Sequence, residues 1–123
     1  MTIKSYRFGQ KGENLATSFL TSSGYKIIER NFRTQIGEID IIALNERCLV
    51  FIEVKTRHSL EFGYPEEAVT QSKIVTIAKV GEYYSKLHPN LPQSLRIDVL
   101  AIGPKDQSGH LRLRLFKNVH QGL

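Results

Sequence analysis

This sequence has almost no cysteine, no tryptophan and no long hydrophobic run. Its 123 residues include one cysteine, Cys48, and no tryptophan. A single thiol excludes an intrachain disulfide and any cysteine cluster for zinc or iron, which is typical of a reducing compartment. No stretch reaches the roughly 20 apolar residues that span a bilayer. We therefore expect a cytoplasmic protein that makes no membrane contact.

Glycine-rich phosphate-binding motifs are absent too, which disfavours enzymes that use dinucleotides or nucleoside triphosphates. The four histidines show no paired spacing typical of metal ligands: His58, His88, His110 and His120. Seventeen Lys and Arg against twelve Asp and Glu give a net charge of +5. This balance favours anionic partners such as nucleic acid, although basic residues that only solvate a surface would give it equally.

Hydrophobic periodicity predicts two helices and five strands in the order αβββαββ, which is an α/β domain covering residues 1–123. The first helix is predicted from Gly9 to Ser22 and the second from about Glu66 to Leu87. The predicted apolar face of the second helix consists of Ile74, Ile77, Ala78, Val80 and Tyr84. The predicted strands are Tyr25 to Phe32, Gly37 to Leu44, Leu49 to Thr56, Leu95 to Ile102 and Leu111 to Phe116.

Charged residues interrupt the second and third predicted strands, which are otherwise apolar. A short connection from Asn45 to Cys48 predicts a hairpin with these opposed pairs: Leu44 and Leu49, Ile42 and Phe51, Asp40 and Glu53, Glu38 and Lys55. All four charges then share one face, at the end away from the turn. The opposite face is predicted to hold Ile39, Ile41, Ala43, Val50, Ile52 and Val54.

The predicted pair of Asp40 and Glu53 indicates a cation site. Opposed residues have β-carbons about 4.5 to 5.5 Å apart, so the two carboxylates can reach one point, where they would repel each other. Magnesium, with manganese as a substitute, is the simplest ion to stabilise them. The alternative is a salt-bridged surface in which Glu38 pairs with Lys55 and Asp40 pairs with an arginine.

Further residues flank this predicted cleft in the sequence. Glu13 either points inward from the first helix or is a carboxylate favoured by the helix dipole. Four cations are candidates for phosphate contacts, although each alone could be an ordinary solvated residue: Arg30, Arg33, Arg57 and Lys73. Asp98 is expected to pair with Arg96 or with a neighbouring strand.

Two sequence runs carry a family resemblance. Gly37-Glu38-Ile39-Asp40 and Val50-Phe51-Ile52-Glu53-Val54-Lys55-Thr56-Arg57 resemble the motif pair of the PD-(D/E)XK nuclease superfamily, in which an Asp precedes a Glu-x-Lys by a hairpin. Ile39 stands where the superfamily name has proline. A finer resemblance, to the YraN family of small bacterial proteins, covers nearly the whole chain and includes Gly9-x-x-Gly12-Glu13, Arg30-Asn31-Phe32-Arg33 and Arg96-Ile97-Asp98. The YraN family also has isoleucine at the position of Ile39.

The resemblance implies a restriction-endonuclease-like fold with a central mixed sheet flanked by helices. It implies that Asp40 and Glu53 bind the metal, that Lys55 positions or activates the attacking water, and that Glu13 resembles the helical glutamate of Holliday junction resolvases. The implied activity is magnesium-dependent hydrolysis of DNA, with branched or otherwise non-duplex substrates by analogy.

Two other functions stay open from the residues alone. One is a catalytically silent nucleic-acid-binding module that keeps the basic surface and uses its acidic cluster structurally. The other is an interaction protein whose edge strand, Leu111 to Phe116, pairs with a partner or with a second copy to form a homodimer.

Overall fold

The computed structural model describes the backbone of residues 3–120 and the side chains of residues 12–120. Within that range the predicted order αβββαββ is confirmed. The elements are α1 (Ile3–Ser22), β1 (Lys26–Arg33), β2 (Glu38–Asn45), β3 (Cys48–Thr56), a 3-10 turn (Pro65–Ala68), α2 (Gln71–Leu87), β4 (Leu95–Lys105) and β5 (Leu111–Phe116). No helix in the described range is long and apolar enough to cross a membrane.

The two predicted helix starts were wrong. α1 begins at Ile3 rather than Gly9, so Gly9 and Gly12 lie within the helix. α2 begins at Gln71 rather than near Glu66, because Thr70 is its N-cap and the Thr70 hydroxyl accepts the backbone N–H of Lys73 at 3.1 Å. An N-cap residue has extended backbone angles, which separates the preceding 3-10 turn from the helix.

The strands form one mixed sheet in the order β1-β2-β3-β4-β5. β3 and β4 are parallel, and the other neighbouring pairs are antiparallel. Parallel neighbours need a crossover connection, which here contains the 3-10 turn and α2. Because α2 leads from the end of β3 back to the start of β4, the first residues of α2 lie near the end of β3.

Each face of the sheet carries one helix. On one face Phe51, Ile42 and Ile97 pack against α2, and every predicted apolar residue of α2 is buried. Gly81 allows this close approach, since a Cβ there would lie 2.6 Å from ring carbons of Phe51. The other face packs against Ala16 and Leu20 of α1. The described fold is compatible with the restriction-endonuclease-like architecture.

The predicted hairpin register is confirmed from Asn45–Cys48 to Ile41–Ile52. Its turn consists of Glu46 and Arg47, both with positive φ, as a two-residue type I′ turn requires. The predicted position of Ile39 was wrong, because Ile39 packs on the α2 side with Ile42 rather than with Ile41. The side chains stop alternating at Asp40, where β2 leaves the backbone ladder with β3.

A buried polar network lies at the end of the sheet where β2 ends and β4 begins. It confirms the predicted pairing of Asp98 with Arg96. The Arg96 guanidinium donates to both Asp98 carboxylate oxygens, at 2.9 and 2.8 Å. Asp98 also accepts the Tyr25 hydroxyl at 2.7 Å and the backbone N–H of Asn118 at 3.0 Å. Arg96 reaches the hairpin through Asn45, at 2.7 Å. One ion pair thus connects β2, β4, the residue that precedes β1 and the segment after β5.

Replacement of Arg96 should destabilise the fold strongly. Arg96→Met removes the cation while Asp98 stays buried, and an uncompensated buried charge costs about 3–5 kcal/mol. We expect that loss in the free energy of unfolding, measured by chemical denaturation. The double variant Arg96→Met, Asp98→Asn should recover a large part of it. A loss below about 1 kcal/mol for the single variant would contradict this role of the ion pair.

Candidate metal centre

Four carboxylates from three elements lie together at the end of β3. Glu13 is on α1, Glu38 and Asp40 are on β2, and Glu53 is on β3. The charges of the other three carboxylates each raise the pKa of Asp40, so all four interact across the gap between β2 and β3. The structure therefore brings together the acidic residues that the sequence singled out.

Asp40 lies where the β2–β3 ladder ends. Its Oδ2 accepts the backbone N–H of Val54 at 2.8 Å, so a side chain takes the place of a backbone carbonyl in the pairing. Burial, and then the charge of Glu53, raise the pKa of Asp40 to about 7, against the opposing effect of the Val54 hydrogen bond. Among residues 12–120 no cation forms an ion pair with Asp40, although each of the other three carboxylates has one.

Glu53 is the most buried of the four carboxylates, with 5% of its surface exposed. Burial raises its pKa, and the nearby cations Lys73 and Lys55 offset only part of that rise. The Lys73 ammonium lies 3.3 Å from Glu53 Oε1. Lys73 is the third residue of α2, so the crossover that brings the start of α2 to the end of β3 also brings this cation to Glu53.

Glu13 points toward the sheet, as one of its two interpretations predicted. Its Oε2 lies 3.5 Å from the Arg30 guanidinium and 3.4 Å from the Asn31 amide, both on β1. The helix-dipole interpretation was wrong, because α1 begins at Ile3 and Glu13 therefore lies far from the first turn. Asn31 has φ +56, a left-handed conformation that asparagine tolerates better than most residues. Asn31 was missed as a member of this region, because its left-handed conformation has no signal in the strand pattern.

The alternative pairing of Glu38 with Lys55 was wrong. Glu38 Oε2 lies 3.1 Å from Arg33 Nε, and Lys55 has no ion pair within the described side chains. Lys55 nevertheless lowers the pKa of Glu53, which places its charge near that carboxylate. It is partly buried and follows Glu53 by two residues on β3. Its ammonium is therefore near the acidic cluster without being paired within it.

The predicted phosphate-binding cations have different surroundings. Arg30, Arg33 and Lys73 each form an ion pair with a carboxylate of the cluster. Arg57 forms none among residues 12–120, and its buried Nε has no hydrogen-bond partner there, as is also true of Arg30 Nε. These four residues stay candidates for phosphate contacts, and three of them currently neutralise the cluster.

An open groove of about 390 Å³ lies beside the cluster, between the start of β2 and the start of α2. Its lining residues include Glu38, Thr70, Ser72 and Lys73. The hydroxyls of Thr70 and Ser72 were missed as candidates in the sequence. Their signal was the pattern Thr-Gln-Ser-Lys at a helix start, where a threonine N-cap is favourable.

A divalent cation is compatible with this donor set. Within residues 12–120 no group of three or more His, Cys, Asp or Glu side chains is arranged to hold a metal ion by itself. Magnesium, however, usually keeps several waters and uses one or two carboxylates together with substrate phosphates. Asp40 and Glu53, both with raised pKa values, would be the two carboxylates of such a site.

The raised pKa of Asp40 gives a pH-dependent stability. Because the folded protein holds this proton more tightly than the unfolded chain, the stability is lost as the pH rises from about 4 to about 7. Asp40→Asn stays neutral and keeps an oxygen that can accept the Val54 N–H. We expect its Tm to exceed the parent's by about 4 °C or more at pH 8.5, roughly the shift for 1 kcal/mol, and by less at pH 5.

The matched control for that measurement is Asp106→Asn. Asp106 is exposed, and its carboxylate also accepts a backbone N–H, that of Ser108 at 2.8 Å. We expect no comparable gain at high pH from this variant. If Asp40→Asn is less stable than the parent at pH 8.5, Asp40 is stabilised by contacts other than those described.

Comparisons with known proteins place the chain in a family. The model of uncharacterised protein family UPF0102 matches residues 12–102. A UPF0102 protein of Caldicellulosiruptor bescii is 44% identical over 89% of this chain and 93% of its own length. A UPF0102 protein of Symbiobacterium thermophilum is 45% identical over 93% of this chain and 96% of its own length. A UPF0102 protein of Chlorobium phaeobacteroides is 42% identical over 98% of this chain and 94% of its own length. These matches confirm the YraN resemblance, and the chain belongs to the UPF0102 family.

Proposed function

We propose that this protein is a metal-dependent nuclease that hydrolyses phosphodiester bonds in DNA. Its proposed substrates include branched or otherwise non-duplex DNA. The observation that carries the proposal is the state of Asp40. Its carboxylate is partly buried, lies beside Glu53, and has no cation partner among residues 12–120. A pair of desolvated carboxylates with raised pKa values in a cleft is typical of a functional site.

Asp40 and Glu53 would hold the cation, Mg²⁺ in the cell with Mn²⁺ as a substitute. The ion would supply a Lewis acid for the phosphate and for the attacking water. The protein supplies the rest of the chemistry. The Val54 N–H orients Asp40, and the packing of Phe51 under α2 fixes the strand that carries Glu53. Both ligands are therefore held by backbone and core rather than by a loop.

Lys55 is the candidate for contact with the reacting phosphate. Its ammonium has three donors and no acceptor, so it can hold a phosphate oxygen and a water at once but cannot replace a metal ligand. It forms no ion pair among the described side chains, which leaves its donors available. Glu13, held by Arg30 and Asn31, adds negative charge near Asp40 and is a candidate for orienting water at the cluster.

The surrounding cations suit a phosphate backbone. The groove beside the cluster presents the Lys73 ammonium and the Thr70 and Ser72 hydroxyls, and all three groups bind phosphate oxygens readily. Arg30, Arg33 and Arg57 lie near the same end of the sheet, since β1 ends and β3 ends there. A nucleic-acid strand that lies along the groove would bring its phosphates toward Asp40 and Glu53.

A catalytically silent nucleic-acid-binding module is the second candidate. The observation in its favour is that Glu13, Glu38 and Glu53 each have a cation partner. A cluster balanced in this way could hold the fold and the basic surface together without any ion. The two candidates differ in whether Asp40 and Glu53 bind a metal and whether Lys55 affects cleavage.

Metal binding should depend on the two carboxylates. We expect calorimetry with Mn²⁺ to show binding to the parent and little or none to Asp40→Asn or Glu53→Gln. Free Mn²⁺ at a concentration 100 times its Kd should raise the free energy of unfolding of the parent by about 2.7 kcal/mol, which thermal unfolding would detect. The exposed variant Asp106→Asn controls for nonspecific binding to carboxylates. If folded Asp40→Asn and Glu53→Gln bind Mn²⁺ like the parent, the proposed centre is wrong.

Cleavage should depend on Lys55. With labelled single-stranded, duplex and branched DNA and either ion, we expect Lys55→Ala to keep Mn²⁺ binding but to cleave about a hundredfold more slowly or worse, the scale for loss of one transition-state contact. Lys55→Arg should not fully restore the rate, because its planar guanidinium fits the water poorly. Lys86→Ala, at the far end of α2, is the matched lysine control.

Glu53→Gln serves as the control for contaminating nuclease in the same assay. Parental rates from both Lys55 variants would show that Lys55 has no part in catalysis. A parent that cleaves no substrate with either ion would instead favour the silent binding module.

A further inference from the structure

The most exposed large hydrophobic side chain in the described part of the protein is Phe62, with 83% of its surface in contact with solvent. It lies in the loop of residues 57–64 between β3 and the 3-10 turn. Leu60 and Tyr64 in the same loop are 40% and 44% exposed. Neither the core nor the metal centre uses this aromatic ring, so its exposure needs a separate explanation.

The loop leaves the sheet beside the metal centre. β3 carries Glu53 and Lys55, ends at Thr56, and continues directly into the loop. The turn between β1 and β2 lies at the same end, and its Ile36 is 61% exposed. Exposed apolar side chains therefore occur in two loops at the end of the sheet that holds the carboxylates and the phosphate-binding candidates.

The backbone of the loop holds Phe62 outward. The Gly63 N–H donates to the Leu60 carbonyl at 3.1 Å, so Phe62 occupies the third position of a hydrogen-bonded turn, and Gly63 has φ +102, which favours glycine. The next aromatic residue, Tyr64, differs from Phe62. The Arg112 guanidinium lies over the Tyr64 ring, with its central carbon 4.5 Å from the ring centroid. The Tyr64 face is covered from within the protein, whereas the Phe62 ring has no aromatic or cation contact among residues 12–120.

We propose that Phe62 stacks on an unpaired base of the nucleic acid bound at the metal centre, an inference that rests on the proposed function. Proteins that bind single strands combine cations along the backbone with aromatic faces for the bases. The described end of the sheet offers both. Bases within a duplex are already stacked on each side, and separating them costs several kcal/mol, so an unpaired base is the favoured occupant.

A protein partner fits Phe62 less well. A stable protein interface buries about 800 Å² on each side, whereas one aromatic side chain contributes about 150–250 Å². Phe62 follows Glu61 at the tip of a turn rather than lying at the centre of a flat apolar face. A ring at the tip of a turn is suited to insertion beside another flat ring.

The absence of tryptophan from the chain allows a direct optical test. Phe62→Trp would introduce the sole indole, whose fluorescence is quenched when a base stacks on it. With EDTA present to prevent cleavage, we expect strong quenching by single-stranded DNA and by duplexes with an overhang or a junction, and little by blunt duplex. Leu87→Trp is the matched control, because Leu87 is 51% exposed at the far end of α2, about 25 Å from its start.

Affinity measured by fluorescence anisotropy of labelled DNA gives the second readout. Loss of one base stack costs about 1–3 kcal/mol, so Phe62→Ala should weaken binding of DNA with unpaired bases by about 5- to 150-fold while changing blunt-duplex affinity less than twofold. Phe62→Tyr keeps the ring and should bind like the parent. Phe62→Leu keeps apolar bulk without the ring and should resemble Phe62→Ala.

The outcomes separate this inference from the proposed function. If the parent binds DNA but Phe62→Trp is not quenched and Phe62→Ala keeps its affinity, the stacking role is wrong and the nuclease proposal stands. If the parent binds no nucleic acid, both fail. If Phe62→Ala instead converts a self-associated parent to monomer with unchanged DNA affinity, Phe62 belongs to an interface between copies and the inference is overturned.

Discussion

The hydrogen bond from the Val54 N–H to the Asp40 carboxylate determines the arrangement of the candidate site. Backbone pairing of β2 and β3 reaches Ile41 and Ile52 and then gives way to this single side-chain contact. The contact fixes Asp40 in the gap between two strands, where burial raises its pKa. The alternation of β2 ends at the same residue, since Ile39 packs on the α2 side. The hydrogen bond therefore positions a ligand candidate directly beside the core.

Sheet topology supplies the cations around that gap. The parallel pairing of β3 with β4 requires a crossover, and the crossover places the start of α2 at the end of β3. Thr70 then fixes where the helix begins, and the third residue, Lys73, meets Glu53. Gly81 keeps α2 close to Phe51 further along the helix. The ion pair at the site thus depends on packing along the length of α2.

The local features of this region were predictable from sequence, and the long-range ones were not. The register of the hairpin followed from alternating apolar residues and a short connection, and the pairs from Asn45–Cys48 to Ile41–Ile52 confirm it. The sequence also indicated that Asp98 pairs with Arg96. The side of Ile39 was missed, because period-two reasoning assumes an uninterrupted ladder and gives no sign of where one strand leaves another.

The partners of the carboxylates were missed for a different reason. The sequence pattern paired Glu38 with Lys55, because a hairpin pattern identifies only the neighbours on the two strands of that hairpin. Arg33, on the other side of β2, is an equally close neighbour once β1 pairs with that strand. The contact of Glu53 with Lys73 spans the whole crossover, so it could be found only from the rule that a crossover helix starts near the end of its preceding strand.

The imbalance of charge within the cluster bears most directly on function. Three carboxylates have cation partners among the described side chains, and such pairing is what a structural cluster requires. Asp40 has none, although an asparagine there could accept the same Val54 N–H without the cost of burying a charge. Features that reduce stability without a local gain occur mainly at functional sites. The unpaired carboxylate of Asp40 therefore supports the proposed metal centre over a purely structural cluster.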